Sequence, residues 1–163
     1  MAGFFSFPNP VNDKAARTVA AVVFVIADVT LLTGWYWLTI PLAYGFWARL
    51  LAGPRLSPLA WTAMNVVAPR LGEKVYLPGP PKRFAQGMGA VMSTLALLFV
   101  ILGDHDVADV FLALFIPAAG LESFFGYCLG CRAFAILMRL GLIPEEVCAE
   151  CADISGRLGL NKA

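Results

Sequence analysis

Phe84-Ala-Gln-Gly-Met-Gly-Ala-Val-Met-Ser-Thr-Leu-Ala-Leu-Leu-Phe-Val-Ile-Leu-Gly103 runs for twenty residues without one charged side chain. A bilayer offers no water to an exposed backbone, so a crossing segment must be helical and needs ~17–25 mostly apolar residues. This run meets that requirement. Immediately after it, Asp104-His105-Asp106 forms a polar turn, and a second apolar run extends from about Val107 to Tyr127. That run carries Asp109 near its start, Pro117 and Glu122. Together the two runs predict a helical hairpin.

Upstream the pattern repeats. Lys14 to Thr33 is apolar apart from Arg17 near its start and Asp28 deep inside, and Asn12 is placed to cap it. After the Gly34 turn, Trp35 to Ala52 stays apolar until Arg49. The expectation is an all-α integral membrane protein with spans at about 14–33, 35–52, 84–103 and 107–127. They would form a four-helix bundle of two hairpins within residues 1–131. Residues 132–163 would form a helical tail packed on the inner face. The first run is too long for a cleaved leader.

Composition agrees. Of 163 residues, 60% are hydrophobic and 14% charged, whereas soluble domains carry ~25% charged residues. A net charge of +1 gives no electrostatic drive toward nucleic acid. The cations are nonetheless sorted. The turns at Gly34 and Asp104–Asp106 have none. All 12 fall in the N-terminal flank, the middle loop with the end of the second run, or the tail. The positive-inside rule makes that side cytoplasmic, with both termini there, and puts Trp35, Tyr36 and Trp37 at the outer interface.

The loop from Gly53 to Arg83 contains Ser57-Pro58, an N-cap followed by a first-turn proline. A short interfacial helix over Leu59–Ala68 is expected, ended by Pro69 and anchored by Trp61. Pro78-Gly-Pro-Pro-Lys-Arg83 then stiffens the approach to the third run. Lys82 and Arg83 sit where a helix dipole disfavours cations, and anionic headgroups would offset that cost.

Four cysteines form two pairs, Cys128-Leu-Gly-Cys131 and Cys148-Ala-Glu-Cys151. On the cytoplasmic side permanent disulfides are disfavoured. Two chemistries fit the spacing. Four thiolates can hold zinc or an iron–sulfur centre, which would fold the tail into a non-enzymatic scaffold. Alternatively each pair cycles between dithiol and disulfide, or carries sulfur as a persulfide. A helix over Arg132–Leu140 would put Cys131 at its N-terminus beside Arg132, lowering its thiol pKa. Cys148 and Cys151 would share a helix face among Glu145, Glu146 and Glu150, which raises theirs. That asymmetry suits a relay.

Ionisable groups inside spans are functional candidates, so Asp28 and Glu122 are candidate proton relays to a thiol site, quinone contacts, or members of a small transport path. At ~100° per residue, Glu122 and Cys128 share a face only if a glycine breaks the helix between them. His105 between two aspartates reads as a solvated turn, with weak metal binding as the alternative. Gly126-x-x-x-Gly130 and Ala85-x-x-x-Gly89 permit close helix approach, within the bundle or in a homodimer.

Several blocks carry a family resemblance: Phe7-Pro-Asn-Pro-Val-Asn12, Arg49-Leu-Leu-Ala-Gly-Pro-Arg-Leu-Ser-Pro58, Pro78-Gly-Pro-Pro-Lys-Arg-Phe-Ala-Gln86, Gly126-Tyr-Cys-Leu-Gly-Cys131 and Ile143-Pro-Glu-Glu-Val-Cys148. They resemble a bacterial integral membrane family catalogued as domain of unknown function 4395. The resemblance implies the bacterial inner membrane and a neighbourhood of thioredoxin-like and sulfurtransferase proteins, hence a soluble partner of that kind. It supplies no catalytic residues. The combined expectation is a membrane-embedded thiol redox or sulfur-transfer protein working through Cys128, Cys131, Cys148 and Cys151.

Overall fold

The computed structural model describes residues 9–72, 75–144 and 147. Cys148, Cys151 and the acidic residues around them lie outside the described residues, as does most of the expected tail.

Three helices are long and apolar enough to cross a membrane: α1 (Asp13–Thr33), α4 (Gly79–Leu102) and α5 (His105–Phe125). Two shorter helices join them in the bundle, α2 (Thr39–Ala52) and α6 (Leu129–Arg139). A short α3 (Pro58–Thr62) lies between α2 and α4. The outward positions of the long helices are apolar, including Val25, Val91, Leu98 and Val110. Exposed aliphatic rows of this kind suit lipid rather than water.

The caps follow the chemistry of the sequence. Asn12 Oδ1 accepts the Lys14 backbone N–H at 3.0 Å and opens α1. Gly34 closes α1 at φ 69°, a conformation glycine takes without strain. Asp104 opens α5 by accepting the Val107 N–H. At the far end of α5, Arg17 donates to the Ser123 and Phe124 carbonyls at 3.3 and 2.9 Å. A cation there both satisfies orphan carbonyls and suits the dipole.

The stretch expected as the second span is not one helix from Trp35. A 3₁₀ turn at Tyr36–Leu38 precedes the 14-residue α2. The middle loop also differs. Beyond α3 the chain continues as a π-helical turn, Ala63–Val67, and a 3₁₀ turn, Ala68–Leu71, so winding passes through Pro69 and stops at Gly72. A proline at the start of a fresh turn loses no hydrogen bond it could have made. Trp61 is exposed, while Ala60, Ala63 and Ala68 pack this segment into the core.

The fold is not purely helical. Strand β1 (Val11–Asn12) pairs antiparallel with β2 (Tyr76–Leu77), Val11 opposite Leu77. The Asp13 N–H extends this clasp to the Val75 carbonyl at 2.8 Å, and the Gly79 N–H donates to Asn9 Oδ1 at 2.9 Å. The clasp pins the start of α1 beside the start of α4.

α1 packs along α5, and α2 along α4. Small residues on α4 set two close approaches. A Cβ at Gly89 would stand 2.2 Å from the Phe46 ring, and one at Gly130 would stand 2.5 Å from Ala85 Cβ. Gly126 does not act as a packing glycine paired with Gly130, because it ends α5 at φ 67° and the two lie on different elements.

Candidate functional site

The Gly126 break positions the site. It stops α5 one turn after Glu122, and the chain then restarts as α6 with Cys128 at the N-cap. Cys131, not the opening residue, is the third residue of that helix. Cys128 Sγ therefore receives both the Cys131 backbone N–H at 3.3 Å and the Cys131 thiol, whose Sγ is 2.7 Å away. A C-x-x-C pair at the N-cap and third helical position brings the two sulfurs into contact without any backbone movement.

The lowered thiol pKa expected of Cys131 falls to Cys128 instead. The hydrogen bond from Cys131 holds the Cys128 thiol below its ordinary pKa; burial and the Glu122 carboxylate oppose this, while Lys82 assists. Giving up that same hydrogen bond, together with burial, pushes the Cys131 thiol far up. Of the two thiols, Cys128 gives up its proton the more readily. Arg132 stacks over the Tyr127 ring, 4.9 Å from its centroid.

Lys82 is the group the sequence reading misplaced. α4 begins at Gly79, five residues before the expected Phe84, so Lys82 lies in the first turns and faces inward. It is 3% exposed, so it cannot meet headgroups. Its Nζ lies 2.6 Å from Glu122 Oε1 and 3.8 Å from Asp13 Oδ1. Arg83, next to it, is exposed. Three elements thus supply one buried charge cluster beside the thiols: α1 gives Asp13, α4 gives Lys82, α5 gives Glu122.

Behind the thiols a cavity of about 260 Å³ enters the bundle. Cys128, Glu122, Gln86 and Arg49 line one part of it, and Val19, Val23, Phe46, Met92 and Phe115 line the rest. Arg49 Nε donates to Gln86 Oε1 at 2.9 Å, and its guanidinium stands over the Phe46 ring at 4.5 Å.

Of the residues singled out in the sequence, Cys128, Cys131 and Glu122 are brought together. Asp28 is not. It sits on α1 more than a turn beyond Val23, the last α1 residue on the cavity. Lys82, Arg49 and Gln86 went unseen as site residues. The one available signal was a lysine at a helix start, where the dipole demands an offsetting anion.

A protein-family model matches residues 11–139. The chain belongs to the family described as a domain of unknown function, DUF4395. No curated protein and no solved structure matches it. The DUF4395 match takes in Cys128 and Cys131 and stops before Cys148 and Cys151. Among the described residues, no group of three or more His, Cys, Asp and Glu side chains is placed to hold a metal ion. A four-thiolate site would need Cys148 and Cys151, which lie outside them.

Proposed function

We propose that the protein is a multi-pass inner-membrane thiol redox protein whose centre is the Cys128–Cys131 pair. The observation that carries this reading is the contact of the two sulfurs at the α6 N-cap, with both the N–H and the thiol of Cys131 directed at Cys128 Sγ. In the oxidised state, a thiolate of a soluble partner attacks Cys131 Sγ, the less buried sulfur. The Cys128–Cys131 bond breaks and Cys128 leaves as thiolate, since the sulfur of lower pKa leaves faster. A second thiolate of the partner attacks the mixed disulfide. The partner closes its own disulfide, and Cys131 departs and takes a proton. Two electrons pass from the partner to the cysteine pair. A thioredoxin-like or sulfurtransferase protein supplies the required dithiol, and Cys148 and Cys151 form a second pair in the same relay.

In this reading α2 is the fourth crossing. Ile40, Tyr44, Trp47 and Leu51 make an exposed apolar row along it, spaced as one face of a helix. With its preceding 3₁₀ turn it reaches the lower limit of ~17 residues for a span. Every described Lys and Arg lies at the cysteine end of the bundle or in its connections, which favours that end as cytoplasmic.

The test is thiol counting with elemental analysis on the purified protein, followed by pH-resolved alkylation read by mass spectrometry. Metal-free protein is expected. Cys128 should label below the ordinary thiol range of about 8.5, while Cys131 remains unlabelled until much higher pH. In Cys131→Ala the Cys128 labelling curve should move to higher pH. Stoichiometric zinc or iron, with all four thiols protected until a chelator is added, overturns the redox reading in favour of the metal-folded scaffold. A C-terminal reporter should be active only in the cytoplasm; periplasmic activity reverses the orientation.

A further inference from the structure

The cavity behind Cys128 holds an unexplained group. Arg49 is 5% exposed and its Nη2 has no hydrogen-bond partner. Nε is already used by Gln86, and Nη1 lies against Gly45, where an added Cβ would stand 3.1 Å away. A buried guanidinium N–H without an acceptor is rare in folded proteins. Here it belongs to a residue that lines an otherwise apolar chamber, and the thiol of lowered pKa lines the same chamber.

The occupant's chemistry is constrained from four sides. The walls are Val, Phe and Met, so its body is apolar. Arg49 Nη2 asks for an oxygen acceptor. Glu122 also lines the chamber, but it is already paired with Lys82 and is not the acceptor that Arg49 lacks. Met88 and Leu114 line the chamber and are also exposed on α4 and α5, which puts its entrance on the outer surface of the bundle. The ligand therefore comes from lipid. The group it meets is a dithiol, whose oxidation yields two electrons.

We propose that the chamber bounded by Arg49, Phe46 and Cys128 is a site for a lipophilic quinone, with a ring carbonyl oxygen accepting from Arg49 Nη2. This rests on the thiol redox reading above and names its electron acceptor. Oxidation of the pair, which the partner leaves as a Cys128 thiolate and a Cys131 thiol, forms the Cys128–Cys131 bond and releases two electrons and one proton. The quinone takes the two electrons, that proton and a second proton from water, and leaves as quinol. The pair is then ready for the next soluble dithiol, so electrons flow from the aqueous partner into the lipid phase.

The experiment uses the full chain in lipid nanodiscs and a short-chain benzoquinone with every ring position substituted, so that its carbons cannot alkylate thiols. Binding is measured by titration calorimetry, and quinol by absorbance after mixing with pre-reduced protein. One quinol per Cys128–Cys131 pair is expected. Cys128→Ser with Cys131→Ser should bind the quinone and form no quinol. Arg49→Gln should weaken binding about tenfold, the loss of one good hydrogen bond. Ala118→Phe, which fills the chamber from its partly exposed wall, should abolish binding and guards against misfolding of the Arg49 variant. Absence of binding, binding without quinol, or unchanged affinity in both Arg49→Gln and Ala118→Phe overturns the site. Exchange of the cysteine pair with dithiothreitol is followed in the same samples. Exchange without quinone binding rejects this inference alone, and no exchange rejects the redox reading itself.

Discussion

At the Gly34 and Gly103 end of the bundle, the helices turn over through short glycine caps, and the chemistry between them is neutral or acidic. Trp35 and Trp37 point outward, and Tyr36 turns in, stacking on His105 at 4.3 Å and donating to Asp109 Oδ2 at 3.2 Å. His105 stays exposed while it stacks on that ring. At the cysteine end the chain does far more. It doubles back through a β clasp, fills α5's C-terminus with Arg17, buries Lys82 between two carboxylates and restarts as α6 on a thiol cap. One end is a pair of turns; the other concentrates buried charge around a cysteine pair. Since buried charge costs several kcal/mol per ion when unpaired, a chain under no demand for function would be expected to resemble the first end at both ends.

That contrast can be broken experimentally. Lys82→Met leaves Glu122 and Asp13 without their cation and should cost about 3–5 kcal/mol, measured by denaturant unfolding in detergent. A cost as small as that of a turn variant at the other end would erase the distinction between them. Gly130→Ala forces a Cβ to 2.6 Å from the Ala85 Cα as well as onto its Cβ and should cost about 1–3 kcal/mol as overpacking, with little recovery in the double variant with Ala85→Gly. Full recovery there would mean that α6 is not held by this backbone approach. Tyr36→Phe keeps the stack on His105 and loses one hydrogen bond to Asp109, so about 0.5–1.5 kcal/mol is expected, with no change in the alkylation curve of Cys128. A shift in that curve would show the two ends to be coupled.

Much of the fold was legible because its signals are local. The apolar runs, the Asn12 and Ser57 caps, the glycine turns and the one-sided cations each need only neighbouring residues to be read. The cysteine pair was legible for the same reason, and so was the condition on Glu122: a glycine had to break the helix, and Gly126 does. What was missed is non-local. Lys82 meets Glu122 forty residues away, and Arg49 meets Gln86 thirty-seven away; no periodicity encodes either contact. The lowered thiol pKa goes to Cys128 and not to Cys131 because it depends on where α6 starts. A start three residues earlier turns Cys128 from a flanking residue into the cap. Boundaries of that kind are set by packing, here of Gly130 on Ala85, and are not visible in spacing.

The Lys82–Glu122 pair has a consequence for how the protein is made. Chains emerge N-terminus first and helices are delivered to the bilayer in sequence. When Lys82 leaves the ribosome, its partner on α1 already exists, but Glu122 is still to be synthesised. Until α5 arrives, the lysine lacks the nearer of its two carboxylates. The pair therefore closes late in synthesis, and both cysteines follow Glu122 within nine residues. A chain that stops before Glu122 lacks the ion pair and the cysteine pair together.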